Sequence, residues 1–170
     1  MSKVILNNLD SVAVLAGGLF AGTAVYMTIG EVPALRAFGV DGHWRFFPHM
    51  FEKAAISQTV FTTTAGVASI VHGTRIIGSP SDRNLWIISG SVFIAILPYT
   101  LFGMMPTNNF IINDSKRVAL GNGSQVSTNK QKETLDTWVL LHLGRTVGSV
   151  VAFGAMVYGL SRHSSLVLGW

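Results

Sequence analysis

Four stretches of the chain stay apolar long enough to cross a lipid hydrocarbon core, which takes about 20 residues of helix. They cover about residues 11–30 (SVAVLAGGLFAGTAVYMTIG), 51–72, 85–105 (LWIISGSVFIAILPYTLFGMM) and 137–160. The second is the least hydrophobic and is rich in Thr, Ser and Ala. Backbone polar groups in lipid must pair within their own segment, so these lengths predict helices. Small residues recur along them (Gly17, Gly18, Gly22, Ala65, Gly66, Gly144, Gly148, Gly154), and small residues let helix backbones approach closely. The expected fold class is all-α: a membrane-embedded, up-down four-helix bundle, a single membrane domain over residues 1–170. Lys3 and the small residues after the first run resemble a secretory leader. That run continues through Val25, Tyr26, Met27 and Ile29, longer than a leader's apolar region, and is read as a retained helix.

The connections differ in kind. Residues 31–50 (EVPALRAFGVDGHWRFFPHM) mix aromatics, charges and two prolines, and predict an interfacial first loop with Trp44, Phe46 and Phe47 at headgroup level. Residues 73–84 form a short polar turn. Residues 106–136 form a long polar third loop, expected to be mobile over 113–133. Prolines are read as punctuation. The first helix stops at Glu31-Val-Pro33, Pro48 opens the second, and Met105-Pro106 stops the third. Asp136 and Thr137 are expected to cap the fourth.

Composition agrees with a membrane protein. Charged residues are only 12% and hydrophobic ones 49%, against roughly 25% charged in an ordinary soluble domain. Without cysteine there is no disulfide framework, cysteine zinc site or thiol nucleophile. The formal charge of +4 is scattered, which argues against a nucleic-acid partner. Arg36, Arg45, Lys53, Lys116, Arg117, Lys130 and Lys132 fall in or near the first and third loops. They favour a cytosolic side for those loops, although Asn113 and Asn122 begin sequons that ask for the lumen. Some of these charges are also available to a site. The expected location is integral and multi-pass, in the endoplasmic reticulum or another endomembrane.

The polar residues within and beside the spans gather at one end. Glu31 closes the first helix, His49, Glu52 and Lys53 follow Pro48, and Thr107, Asn108 and Asn109 follow the third helix. In the fourth, Trp138, His142, Arg145 and Ser149 recur at i, i+4, i+7 and i+11, one helical face. With a start near 137, Arg145 lies ~12 Å into the helix. Ionisable groups in a membrane are costly and usually face the bundle interior or a wet cavity. Arg145 keeps its charge and wants a carboxylate or several carbonyls, with Glu31 and Glu52 as candidates.

Taken together, these residues resemble the anthrone-oxygenase-like family of small four-helix membrane proteins. The resemblance rests on a first helix with Ala16-Gly17 and Ala21-Gly22 ending Glu31-x-Pro33-Ala34. It rests also on a third helix ending Pro98-Tyr99-Thr100…Met105-Pro106-Thr107-Asn108, and a fourth opening Trp138-x3-His142-x2-Arg145. It covers about residues 12–160. It implies oxidation of a polyketide-derived anthrone to a quinone with O2, without metal or flavin. The expected partners are then the lipid bilayer, a hydrophobic aromatic small molecule and O2. His142 or His49 is the candidate base. Arg145 and Asn108 are candidate oxyanion donors, and Glu31 or Glu52 would orient the histidine or balance the arginine. Trp138, Phe46 and Phe47 would line an apolar slot. Two other classes stay open. One is a haem or metal ion held through His49 and His142. The other is a non-enzymatic structural or accessory membrane subunit. Transport fits poorly, since no inverted repeat or pair of broken helices is present.

Overall fold

A computed structural model describes residues 8–168, with side chains to Arg162; Lys3 lies outside the described residues. Every element is helical: α1 Leu9–Tyr26, α2 Val32–Ala37, α3 Gly39–Arg75, α4 Pro80–Pro98, α5 Met105–Ala119 and α6 Thr128–Leu168. Met27–Glu31 joins α1 to α2 and Tyr99–Met104 joins α4 to α5, both as π-helix. The result is four rods long and apolar enough to cross a membrane, Leu9–Ala37, Gly39–Arg75, Pro80–Ala119 and Thr128–Arg162.

The rods are longer than the apolar pattern suggests, and the reason lies at the prolines. Each π segment ends two residues before a proline, ahead of Val32-Pro33 and Met105-Pro106. A proline lacks the N–H for the usual helix bond, and its ring crowds the carbonyl four residues back. Widening the preceding turn relieves the conflict: Val32 N–H reaches Met27 O and Met105 N–H reaches Thr100 O, each five residues back. The chain therefore stays helical through the expected stops. Pro48 does not open a helix either; it lies inside α3, which begins at Gly39.

The actual breaks fall at glycines with positive φ, a backbone state that costs glycine no steric penalty. Gly39 (φ +86°) separates α2 from α3, Gly78 (+91°) separates α3 from α4, and Gly121 (+80°) follows α5. The interfacial first loop is thus replaced by helix on both sides of Gly39. The third loop shrinks to residues 120–127 between α5 and α6. Far from hanging free, it is tied down at Asp114. That carboxylate accepts bonds from Ser124 Oγ (2.6 Å), the Gln125 N–H (3.1 Å) and the Trp44 indole (3.1 Å). Asp136 and Thr137 do not cap the fourth rod, which starts at Thr128 and runs its first turns on the pairs Lys130–Glu133 and Lys132–Asp136. Arg145 therefore lies 17 residues into α6, ~26 Å from its start.

The chain divides into two compact units, each drawing on all four rods. The first runs up to Thr23, over Gln58–Leu97 and from Val147 on; the second comprises Ala24–Ser57 and Pro98–Thr146. The first packs small residues closely. A Cβ on Gly90 would lie 2.7 Å from Gly66 O, and one on Gly17 would lie 3.1 Å from the Phe93 ring. Side-chain donors secure the crossings: Thr62 Oγ1 donates to Phe93 O (2.7 Å), Ser69 Oγ to Trp86 O (2.6 Å), and the Gln58 amide to Thr23 Oγ1. The second unit is centred on large side chains: Met27, Val32, Trp44, Phe47, Met104, Ile111, Leu135 and Trp138.

Candidate functional site

The second unit holds the candidate site, and both π segments feed it, through buried Met27 and Met104. Single π turns often mark functional positions in helices. On α6, the spacing of Trp138, His142 and Arg145 brings all three to one place. Trp138 lies flat on the His142 imidazole, with ring centroids 5.0 Å apart and planes within 8°. Phe47 meets Trp138 edge-on at 5.2 Å, and His43 does so at 6.5 Å. Trp138, Phe47, His43 and His142 are all buried. Aromatic contacts of this kind contribute ~0.5–1.5 kcal/mol each beyond the area they bury.

The partners of His142 dictate its chemical form. Arg145 Nη2 lies 3.0 Å from His142 Nδ1. A guanidinium can only donate, so Nδ1 accepts and the ring proton sits on Nε2. Nε2 donates in turn to the Ala24 carbonyl at 3.2 Å. That carbonyl also receives the Thr28 hydroxyl at 2.9 Å and lies just before the π segment of the first rod. Thr146 bonds back to His142 O at 3.0 Å and meets Thr28 Oγ1 at 3.1 Å. His142 is therefore a neutral, fully engaged imidazole that fixes the direction of Arg145. Nearby, Tyr99 donates to Leu141 O at 2.9 Å and covers Gly144, where a Cβ would stand 3.2 Å from the phenol oxygen.

The other expected residues divide. Asn108 is buried at 1% exposure, with its Nδ2 toward Met105 Sδ at 3.7 Å and its Oδ1 without a partner among the described residues. Glu31 is half-buried at the end of the first π segment. His49 and Phe46 are exposed, and Glu52 is exposed beside Lys53 at 3.4 Å. These three are not brought into the buried layer, because α3 begins nine residues before Pro48 and turns His43, Trp44 and Phe47 inward instead. A ligand pair from His49 and His142 does not form in this arrangement: one imidazole is exposed and the other has both nitrogens engaged. Among the described residues there is no group of three or more His, Asp or Glu placed to hold a metal ion.

His43 is the residue the apolar pattern missed. It is 2% exposed, and its Nε2 is buried without a partner among the described residues. It lines a cavity of roughly 500 Å³ together with Arg36, Val40, Lys132 and Asp136. The signal was present: His43, Phe47 and Met50 recur at i, i+4 and i+7 from Gly39 onward. Reading Pro48 as a helix start hid it.

Fold and site together describe an all-helical chain, with four rods suited to a bilayer, that buries ionisable and aromatic side chains in one unit. The family model for anthrone oxygenase matches residues 47–155, and the chain belongs to the anthrone oxygenase family. The match spans Phe47, Asn108, Trp138, His142 and Arg145 and begins after His43. The chain is 23% identical over 143 residues to anthrone oxygenase AgnL2 of Paecilomyces divaricatus, covering 81% of this chain and 86% of that one. It is 26% identical over 161 residues to an anthrone oxygenase of Claviceps purpurea (strain 20.1), covering 91% and 88%. No solved structure matches the chain.

Proposed function

We propose that this protein is an integral, multi-pass membrane oxygenase that converts a polyketide-derived anthrone-type aromatic to the corresponding quinone with O2, in the endoplasmic reticulum or another endomembrane. The observation that carries the reading is the buried Trp138–His142–Arg145 arrangement, in a chain whose relatives bear the name anthrone oxygenase. An anthrone has an acidic CH2 opposite a carbonyl. Loss of its proton leaves an electron-rich anthrolate that reacts with O2 at that carbon. The resulting peroxide loses water, so one anthrone and one O2 give one quinone and one H2O. The reaction as written draws on neither metal nor flavin.

The residues supply what this sequence needs apart from the base. Arg145 and the Asn108 amide are candidate donors for oxyanions formed later in the reaction, and in a dry site each such contact is strong. The neutral His142 is a positioning residue: its Nδ1 directs the guanidinium, and its Nε2–H ties the pair to the main chain. Trp138 and Phe47 form the buried aromatic layer against which His43 and His142 are held. A planar, oily substrate also partitions into lipid, which suits an enzyme built from membrane-length helices.

Membranes carrying the full chain, supplied with emodin anthrone under air, test the reading. Quinone absorbance should rise well above the air-oxidation rate, with one O2 consumed per quinone and no hydrogen peroxide accumulating. His142→Gln and Arg145→Lys should each lower kcat by about 10²–10³. Wild-type membranes that merely match air oxidation sink the oxygenase reading. Variants that accumulate poorly yet turn over normally per folded molecule support a structural role for the pair.

A further inference from the structure

The site as described lacks a proton acceptor: His142 has no free lone pair, and His49 is exposed. The cavity beside Trp138 offers one. Its rim carries Arg36 and Lys132, both bound to the same carboxylate: Arg36 Nη2 to Asp136 Oδ1 at 2.8 Å and Lys132 Nζ to Asp136 Oδ2 at 2.8 Å. Two cations sharing one carboxylate leave a positive charge in excess, so the rim favours an anionic oxygen. Its wall carries His43, buried yet with Nε2 unpaired among the described residues. Buried polar atoms are nearly always paired, and an exception calls for a missing partner. The volume, roughly 500 Å³, falls within the ~300–1,000 Å³ usual for small-molecule sites.

Resting on the oxygenase reading above, we propose that this cavity seats a flat, weakly acidic aromatic, with His43 as its proton acceptor and the Arg36–Lys132 rim facing its ionised oxygen. The methylene C–H bond breaks and its electron pair enters the ring–carbonyl π system. The proton passes to His43 Nε2. The products of this step are an imidazolium and an anthrolate whose negative oxygen faces the cations. After O2 adds at the carbon that lost the proton, the imidazolium returns its proton and a hydroperoxide results. The remaining C–H then breaks, and its electron pair forms the new C=O as the O–O bond breaks. The hydroxide that leaves combines with the proton of that C–H as water. The edge-on contact of His43 with Trp138 couples the cavity to the stack on which Arg145 is held.

The test uses the full chain in lipid nanodiscs with two readouts: turnover of emodin anthrone, and equilibrium binding of emodin, the stable phenolic quinone. His43→Gln should lower kcat about 100-fold with KM little changed. Arg36→Gln and Lys132→Gln should weaken emodin binding about tenfold. Val40→Trp, which fills the cavity, should abolish binding. Arg83→Gln, exposed in the first turn of α4, serves as control. Wild-type kcat in His43→Gln, or wild-type KM in Val40→Trp, overturns the proposal while leaving the oxygenase reading intact. Should the wild type fail to exceed air oxidation, the oxygenase reading falls alone and emodin binding judges the cavity. Binding lost in Val40→Trp and Arg36→Gln then supports it, and unchanged binding overturns it. If His43→Gln does not fold, Val40→Trp and the exposed Arg36→Gln decide.

Discussion

The two units of this chain solve opposite problems with the same four rods. The first buries Ala13, Ala16, Ala21, Ala65, Ala68, Ser69 and Ser89, and its hydroxyls donate to main-chain carbonyls on facing helices. Small side chains and satisfied hydroxyls are what close helix packing asks for. The second buries Trp44, Phe47, Trp138, His43, His142, Asn108 and Asp114. Two of these, His43 and Asn108, keep an unpaired buried atom among the described residues. In the first unit the corresponding atoms, lacking a hydrogen bond among the described residues, are Gln58 Oε1 and Asp82 Oδ1. Burying ionisable groups and leaving polar atoms unpaired both cost stability. The contrast teaches where the chain favours packing and where it gives stability up for chemistry.

The contrast can be broken by substitution. The largest effect is expected at Phe93, fully buried in the first unit against Phe20. Phe93→Ala should cost about 3–5 kcal/mol of stability, measured by denaturation in detergent, while activity per folded molecule persists. A comparable loss of turnover at unchanged stability would merge the two roles. Asp114→Ala should cost about 1–3 kcal/mol, because the buried Trp44 indole loses its acceptor. Limited proteolysis should then cut within residues 120–127, and an uncut loop would mean that Asp114 does not hold it. Smallest is Ser69→Ala, which removes one donor to Trp86 O and should cost about 1 kcal/mol with no change in kcat.

How much of this was legible in the sequence depends on which residues are asked. The four apolar runs located the rods, because twenty apolar residues have few other solutions. The i, i+4, i+7 spacing of Trp138, His142 and Arg145 located the heart of the candidate site. The helix ends are not legible from the prolines, which read as stops in the sequence and lie inside helix in the fold. Local sequence shows that Pro33 and Pro106 lack a donor, but not that a widened turn before each accommodates the loss. The glycines that do end helices, Gly39, Gly78 and Gly121, looked no different from those inside them. Read as a helix start, Pro48 moves the beginning of α3 and substitutes His49 and Glu52 for His43. The engagement of both nitrogens of His142 was beyond reach as well, because its partner at position 24 is a carbonyl, which every residue has.

That last feature bears on inheritance. His142 to Ala24, Thr62 to Phe93, Ser69 to Trp86 and Tyr99 to Leu141 all join a side chain on one helix to the peptide oxygen of another. In each bond only the donor is encoded by residue type; the acceptor survives any replacement that keeps the helix in place. A lineage wired this way can exchange most of its letters and retain its internal connections, so long as a handful of donors stay where they are.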